Sequence, residues 1–199
     1  MINLSKGERF DLSKSGSALS NLRVGLGWDP VKKEGGFFSN LLGGGGGSQA
    51  GIDIDASVFM LHPGRKLANG KDLVYYNNLK SGCGSIRHGG DNLTGEGEGD
   101  DESILINLPQ VPNDFENLVV TVNIYDCVSR KQHFGMVENA YVKLYDGDKV
   151  LAQFDLTEDY SGKTAIDVAE LYRRNGEWRF KALGEAYVAS GLKEMSQRF

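Results

Sequence analysis

Residues 90–102 carry the clearest chemical signal in the sequence. They read Gly-Asp-Asn-Leu-Thr-Gly-Glu-Gly-Glu-Gly-Asp-Asp-Glu, with six carboxylates in positions 91–102 and glycines at alternate central positions. Glycine lets a backbone curl and turn its carbonyl oxygens inward, and Ca²⁺ takes roughly six to eight oxygen ligands at about 2.3–2.6 Å. The segment is therefore predicted to bind calcium. The alternative is a solvated acidic loop whose carboxylates repel one another.

Three carboxylates elsewhere could complete such a site. Asp53 and Asp55 alternate with apolar residues in the predicted strand 52–61, so they share one face of it. Asp29 follows the apolar run 25–28 at the end of another predicted strand. Together with the six carboxylates of residues 91–102, these make nine, which is enough for two calcium ions. The alternative for Asp53 and Asp55 is an ordinary solvent-exposed face.

Other uses of the same glycines and carboxylates fail on spacing. Residues 95–99 lack the dinucleotide-binding pattern, and their carboxylates would oppose a pyrophosphate. The stretch 91–102 has the length of an EF-hand loop, but Leu93 and Glu96 stand where a ligand and a glycine are required. Residues 162–164 resemble the end of a phosphate-binding loop, yet Thr157 replaces its first glycine. The sequence therefore predicts an oxygen-rich cation site of another design.

Catalytic patterns are weak. The three histidines have no metal-ligand spacing, and no serine lies in a Gly-x-Ser-x-Gly turn. Cys83 and Cys127 are 44 residues apart and are predicted to be buried thiols. We therefore expect a protein that is not an enzyme and needs no organic cofactor. A redox or hydrolytic enzyme acting on a toxic oxyanion is the alternative.

The elements that must position these residues are mostly strands. Apolar and polar residues alternate with a period of two, and Asp146-Gly147 and Asn175-Gly176 are typical of tight hairpins. Strands are predicted at residues 22–28, 52–61, 73–77, 103–108, 120–124, 140–145, 150–156, 165–172 and 177–182. Eight or nine short, half-buried strands indicate an all-β sandwich or barrel. Helix is predicted only in the tail, residues 186–198, with residues 166–173 ambiguous.

A glycine-rich loop interrupts the strands at about residues 32–51. It contains five consecutive glycines and has no periodicity, which predicts a flexible connection. Phe37, Phe38, Leu41 and Leu42 lie within it. These four side chains either pack back on the body or form a contact for a partner or a lipid surface.

Length and charge limit the remaining choices. The chain has 199 residues, consistent with one domain, and its net charge is −5. Residues 91–102 carry −6 and the remainder +1, with 22 basic against 21 acidic residues. An acidic segment of this kind repels nucleic acid, so no nucleic-acid partner is expected. The sequence contains no apolar run of about 20 residues and no signal-peptide pattern, which predicts a cytosolic protein.

The sequence resembles the TerD-type proteins of the tellurium-resistance and stress-response family. The stretch Gly-Asp-Asn-x-Thr-Gly-x-Gly-x-Gly-Asp-Asp-Glu at residues 90–102 is highly specific to that family. The resemblance covers nearly the whole chain, at residues 1–7, 24–29, 53–61, 122–125, 134–142 and 170–184. It implies one calcium-binding domain over residues 1–199, folded as an antiparallel β-sandwich of two sheets with short C-terminal helical segments.

The resemblance also implies a ligand set and a biological role. The expected metal ligands are Asp29, Asp53, Asp55, Asp91, Asn92, Thr94, Gly95, Gly97, Glu98, Asp100, Asp101 and Glu102. The expected role is resistance to tellurite, some phages and pore-forming colicins in a bacterial or phage-borne cytoplasmic protein. We expect bound calcium to order the acidic loop and present a surface to other stress-response proteins or, peripherally, to the inner membrane.

Overall fold

The described residues form a two-sheet β-sandwich, as expected. The computed structural model describes residues 1–12, 21–30, 52–90, 99–156 and 158–199. Sheet A has the strand order β1 (Ile2–Leu4), β10 (Lys149–Asp155), β9 (Val137–Asp146), β3 (Asn21–Pro30), β7 (Glu102–Asn107) and β6 (Ile86–His88). Sheet B has the order β2 (Arg9–Asp11), β12 (Glu177–Tyr187), β11 (Ala165–Arg174), β8 (Asn117–Ile124), β4 (Ile54–Leu61) and β5 (Leu73–Val74). Their pairings are antiparallel except for β1 with β10.

The main core lies between the two sheets and follows the period of two. On β3, Leu22, Val24 and Leu26 are buried and belong to this core. On β4, the alternate residues Ile54 and Val58 pack into the same cluster. Burying a side chain of this size contributes up to about 1.5–3 kcal/mol, so the alternation fixes which face of each strand points inward.

A second apolar cluster covers the outer face of sheet B. Phe59 and Leu61 of β4 pack there with Met195 of the helix α2 (Leu192–Ser196). As a result, β4 is buried along its whole length. The prediction of half-buried strands is therefore wrong for this strand, because the C-terminal chain covers the face that the alternation assigned to solvent.

Two hairpins match the turn signals. Arg174 pairs with Glu177 across Asn175-Gly176, and both turn residues have positive φ, 54° and 80°. Asp146 pairs with Lys149 across Gly147 and Asp148, so this hairpin is present with its turn one residue later than the Asp146-Gly147 signal. These two connections are confirmed.

Several boundaries differ from the prediction. The ambiguous residues 166–173 belong to strand β11, and β12 continues to Tyr187 in the region predicted as helix. The predicted helix 186–198 is reduced to α2, and a short helix α1 (Cys127–Arg130) follows β8. The strands β1, β2 and β6 were not predicted, because each has three residues and is too short for periodicity to detect.

One of the two cysteines also differs from the prediction. Cys127 is buried, but Cys83 is exposed, because it lies in the turn before β6 rather than in a strand. Neither is in a disulfide. Burial raises the pKa of Cys83, but hydrogen bonds with the hydroxyls of Ser81 and Ser85 outweigh this effect and bring the pKa below its ordinary value of 9.0.

Two further expectations concern the glycine-rich loop and membrane-spanning helices. The predicted loop 32–51, with Phe37, Phe38, Leu41 and Leu42, lies outside the described residues. Among the helices in the described ranges, none has the length and apolar character to cross a bilayer.

Candidate functional site

The acidic segment leaves and rejoins the described structure at one end of the sandwich. Gly89 N donates to Ser103 O (2.7 Å) where the chain leaves β6, and Asp101 N donates to Leu26 O (2.7 Å) where it enters β7. The described residues on the two sides of 91–98 are thus anchored to β7 and to β3, which pair with each other. The predicted ligands Asp91, Asn92, Thr94, Gly95, Gly97 and Glu98 lie outside the described residues.

Asp29 and Asp101 come together at a β-bulge. The register of β3 against β9 shifts between Gly27 and Asp29, where Trp28 of β3 lies opposite two residues of β9, Ala140 and Asn139, so β9 carries the extra residue. The Trp28 N–H donates to Asp101 Oδ2 at 2.9 Å, and Asn139 Nδ2 donates to Asp29 Oδ2 at 2.8 Å. Burial raises the pKa of Asp101, and the charges of Asp29 and Asp100 add to this effect against the Trp28 hydrogen bond. The two negatively charged carboxylates are therefore hydrogen-bonded by neutral donors, the Trp28 N–H and the Asn139 amide.

Asp100 is bound differently, on the outer face of sheet A. It forms an ion pair with Arg23, and its Oδ1 accepts hydrogen bonds from the hydroxyls of Tyr145 (2.9 Å) and Tyr141 (3.2 Å). Tyr141 also donates to Gly99 O at 2.7 Å. Burial and the bond to Asp100 raise the pKa of Tyr145 to about 12, so this hydroxyl stays a donor at neutral pH. The contacts indicate that Asp100 ties the acidic segment to the sheet.

Two glycines of β3 make room for this arrangement. A Cβ at Gly25 would overlap the Asp100 carboxylate, and a Cβ at Gly27 would overlap the Tyr141 ring. Both glycines are buried beneath those side chains. The spacing Gly-x-Gly in β3 is therefore required for close approach rather than for an unusual turn.

Glu102 lies inside the sandwich and joins the two sheets. Its side chain is fully buried, and its Oε2 accepts a 2.6 Å hydrogen bond from Ala56 N on β4. His88 Nε2 lies 3.4 Å from the same oxygen and 3.1 Å from Ala56 O. Since β5 pairs with Val58 and Phe59, no strand of the described residues pairs with the β4 backbone at Ala56 on that side. Glu102 and His88 instead form hydrogen bonds with the N–H and the carbonyl of Ala56.

Asp53 comes immediately before β4 and Asp55 lies on it, and both side chains are buried. Asp53 Oδ2 is 3.8 Å from Arg130 Nη1, next to α1. Asp55 is paired across the strands with Asn123, whose Nδ2 is 3.5 Å from Asp55 Oδ2. The alternative of an ordinary solvent-exposed face for this pair is therefore wrong, because both side chains are buried and the C-terminal chain lies over Asp55.

The structure thus brings the described part of the predicted set to one end of the sandwich but not to one point. Asp100 lies on the outer face of sheet A, Glu102 in the interior, and Asp55 on the outer face of sheet B. Within the described ranges, no three His, Cys, Asp or Glu side chains surround a position that could hold a metal ion. Asp29 and Asp101 fit a calcium site in donor type, and the other ligands would come from residues 91–98.

Sequence reasoning missed the residues that support the site. These are Arg23, Tyr141, Tyr145, His88 and Asn139. Arg23 and the two tyrosines occupy the polar positions of alternating strands, a pattern that also describes ordinary solvent-facing residues. The distinguishing signal is the pair of glycines at 25 and 27, since they mark a face on which other groups come close.

The fold and this end of it define a class, the two-sheet β-sandwiches with an acidic edge. The chain belongs to the TerD family, because the model of the TerD domain matches residues 1–199. It is 50% identical over 200 residues to the stress response protein SCP2 of Bacillus subtilis (strain 168), covering 100% of this chain and 98% of that protein. It is 42% identical to the tellurium resistance protein TerD of Serratia marcescens, covering 100% and 96%.

Solved structures agree on the fold. A crystal structure of a homologue of telluride resistance protein (TerD) from Streptomyces coelicolor A3(2) superposes with a TM-score of 0.66. The match covers 86% of this chain and 92% of that one, at 22% identity. At that identity the likeness supports the sandwich fold alone.

Proposed function

We propose that this protein is a calcium-binding, non-catalytic interaction module in bacterial tellurite resistance and general stress response. The observation that carries the calcium proposal is the meeting of Asp29 and Asp101 where β3 pairs with the bulge of β9, beside both anchors of the acidic segment 91–98. The names of relatives that share the whole chain support the physiological role.

The residues divide into ligands and supports under this proposal. Asp29 and Asp101 would hold the ion together with oxygens of the predicted ligands Asp91, Asn92, Thr94, Gly95, Gly97 and Glu98. Asp100 and Glu102 fix the segment to sheet A and to β4 through their own hydrogen bonds. A bound Ca²⁺ would supply the positive charge that offsets the crowded carboxylates. Two ions remain the expected stoichiometry, and bound-metal analysis measures it.

The surface at this end is the proposed interaction site. Calcium would order residues 91–98 next to Asp29 and the tyrosines of sheet A, which creates a contact for another stress-response protein or for the inner membrane. We place the protein in the cytoplasm, with peripheral membrane contact. The alternative of an oxyanion enzyme has less support, since an acidic segment repels an anionic substrate.

The test is calcium-linked stability, measured as the melting temperature with Ca²⁺, Mg²⁺ or a chelator. A ligand that binds only the folded protein adds about 2.7 kcal/mol at a hundred times its dissociation constant. We expect Ca²⁺ to raise the melting temperature by roughly 2–4 °C per kcal/mol, the value for a chain of this length. Mg²⁺ should act far less, because it demands a tighter octahedron and keeps its waters.

A pair of carboxylate-to-amide variants makes the test specific. Asp101→Asn should remove most of the calcium shift, while Glu158→Gln, which alters an exposed ion pair with Lys6, should keep it. A melting temperature that ignores calcium, with no metal found by elemental analysis, would reduce the segment to a solvated acidic loop.

A further inference from the structure

A second candidate site lies on the opposite side of the molecule from Asp100. It is a cleft of approximately 550 Å³ between the outer face of sheet B and the helix α2. Asp55, Asn123, Tyr75, Tyr76, Tyr125 and Leu192 are among its lining residues. This volume is in the range of small-molecule sites, about 300–1,000 Å³. The cleft is built entirely from described residues.

The floor of the cleft is anionic and rich in acceptors. Asp55 and Asn123 are directly opposite each other on β4 and β8, and each is only 3% exposed. Asn123 Oδ1 is buried and accepts no hydrogen bond from another described residue. Buried polar atoms are normally paired, so this floor indicates a bound donor.

One wall of the cleft is aromatic. The rings of Tyr75 and Tyr76 lie 5.2 Å apart at 85°, and those of Tyr76 and Tyr125 lie 6.0 Å apart at 87°. The Tyr125 ring already forms a cation–π contact, since the Arg130 guanidinium lies 5.3 Å from its centroid. Tyrosine rings attract cations through their negative faces. The wall and the floor therefore favour the same sign of charge in a ligand.

The charged residues at the rim of the cleft do not change its preference for a cationic ligand. Asp126 and Lys193 also line the cleft, so with Asp55 the titratable carboxylates and ammonium of the lining sum to one negative charge. Leu73 and Leu192 add apolar surface. A ligand that matches these features has an ammonium group, N–H donors and an apolar body.

We propose that this cleft binds a small organic amine, with its ammonium group directed to Asp55 and Asn123 and its apolar body against the tyrosine wall. The assignment gives Asp55 a role distinct from the calcium ligand that the sequence predicted. It does not depend on the calcium proposal, because neither Asp29 nor Asp101 lines the cleft.

The experiment uses three probes of equal size and different charge on the full chain. These are 2-phenylethylamine, the neutral 2-phenylethanol and the anionic phenylacetate, each titrated by calorimetry and by NMR of the backbone amides. We expect the amine to bind at least about tenfold more tightly than the alcohol, with shifts at Asn123 and Tyr125, and the anion not to bind. Equal binding of amine and alcohol, or no amine binding, would overturn the proposal.

Variants then test the floor and the wall. Asp55→Asn should weaken amine binding about tenfold, whereas Glu158→Gln, which neutralises an exposed carboxylate outside the cleft, should change it by less than about twofold. Tyr125 is 42% exposed, so Tyr125→Leu should leave the fold intact and weaken binding, while Tyr125→Phe should retain it. This pair keeps the proposal testable even where Asp55→Asn fails to fold.

Calcium separates the two roles of Asp55. Each titration is repeated with Ca²⁺ and with chelator, and the bound calcium of Asp55→Asn is counted. We expect the same amine affinity in both conditions and an unchanged calcium count. Displacement of the amine by Ca²⁺, or loss of a calcium ion in Asp55→Asn, would assign the residue to the metal and overturn the amine site. Failure of the calcium proposal would instead appear as no calcium bound to the wild type.

Discussion

Asp100 shows how the neighbours of a carboxylate decide what it does. Its position in a Gly-x-Gly-Asp-Asp-Glu run indicates a metal ligand, yet Arg23, Tyr141 and Tyr145 occupy its oxygens in the structure. Charge-assisted hydrogen bonds of this kind are among the stronger ones in proteins. The residue is positioned because Gly25 lets its carboxylate lie directly on the backbone of β3.

The first prediction tests this close approach. Gly25→Ala places a methyl group where the Asp100 carboxylate lies, so Asp100 must leave its partners or the strands must shift. Forcing extra volume into a packed site costs about 1–3 kcal/mol, which urea unfolding would measure. Gly70→Ala is the matched control, since nothing lies within 4 Å of its new Cβ. Equal stability of the two variants would contradict the packing described here.

The cysteines provide a second prediction at this scale, directed at the enzyme alternative. Cys83 is exposed and Cys127 is buried near Ala189 O, and neither is in a disulfide. Thiol-based reduction of an oxyanion commonly needs a second, resolving thiol nearby. We expect the double variant Cys83→Ser, Cys127→Ser to retain full tellurite resistance in a strain that depends on this protein. Loss of resistance in a variant that melts like the wild type would support a redox enzyme.

At the scale of elements, the strands could be predicted more reliably than their surroundings. The alternation on β4 and β8 correctly identified Val58, Val120 and Val122 as core residues. It could not show that Asn123 and Thr121, the polar members, would also be buried. Burial of that face depends on the C-terminal chain, whose helix α2 is only five residues long and packs through tertiary contacts.

A third prediction concerns the packing of α2 on the outer face of sheet B. Met195 is fully buried against Phe59 and Leu61, so it holds α2 on sheet B. Met195→Ala should lower the free energy of unfolding by about 2–5 kcal/mol, as other large-to-small core changes do. Val128→Ala, at a side chain that is 69% exposed on α1, should change it by less than about 0.5 kcal/mol. Chemical denaturation of both variants would show whether α2 is part of the cooperative fold.

The candidate site was predictable in residue type but not in arrangement. Composition alone singles out Asp29, Asp101 and Glu102 as acidic residues near glycines. Their separation depends on the β9 bulge opposite Trp28 and on the part of β4 around Ala56 with which no described strand pairs on its β5 side. Both features arise from strand register across distant segments, which local sequence does not encode.

At the scale of the whole molecule, charge is concentrated at one end. Residues 91–102 account for more than the entire net charge of −5, and the described part of that segment adjoins Asp29 at the end of β3. The rest of the molecule is close to neutral, so the acidic end is the part that an anionic surface repels. Divalent cations at the acidic end would remove this barrier. Association with anionic lipid should therefore depend on calcium.

The last prediction tests this dependence with vesicle sedimentation. With Ca²⁺ present we expect binding to phosphatidylglycerol vesicles and not to phosphatidylcholine vesicles, because bound cation neutralises the acidic end and phosphatidylglycerol supplies the opposing anion. Chelator should abolish binding, and added salt should weaken it, since the Debye length falls from about 10 Å at 0.1 M to 3 Å at 1 M. Asp101→Asn should lose binding while Glu158→Gln, altered at an exposed ion pair, should keep it. Sedimentation that is absent, or equal with calcium and with chelator, would exclude a calcium-dependent lipid surface and leave protein partners as the target of the acidic end.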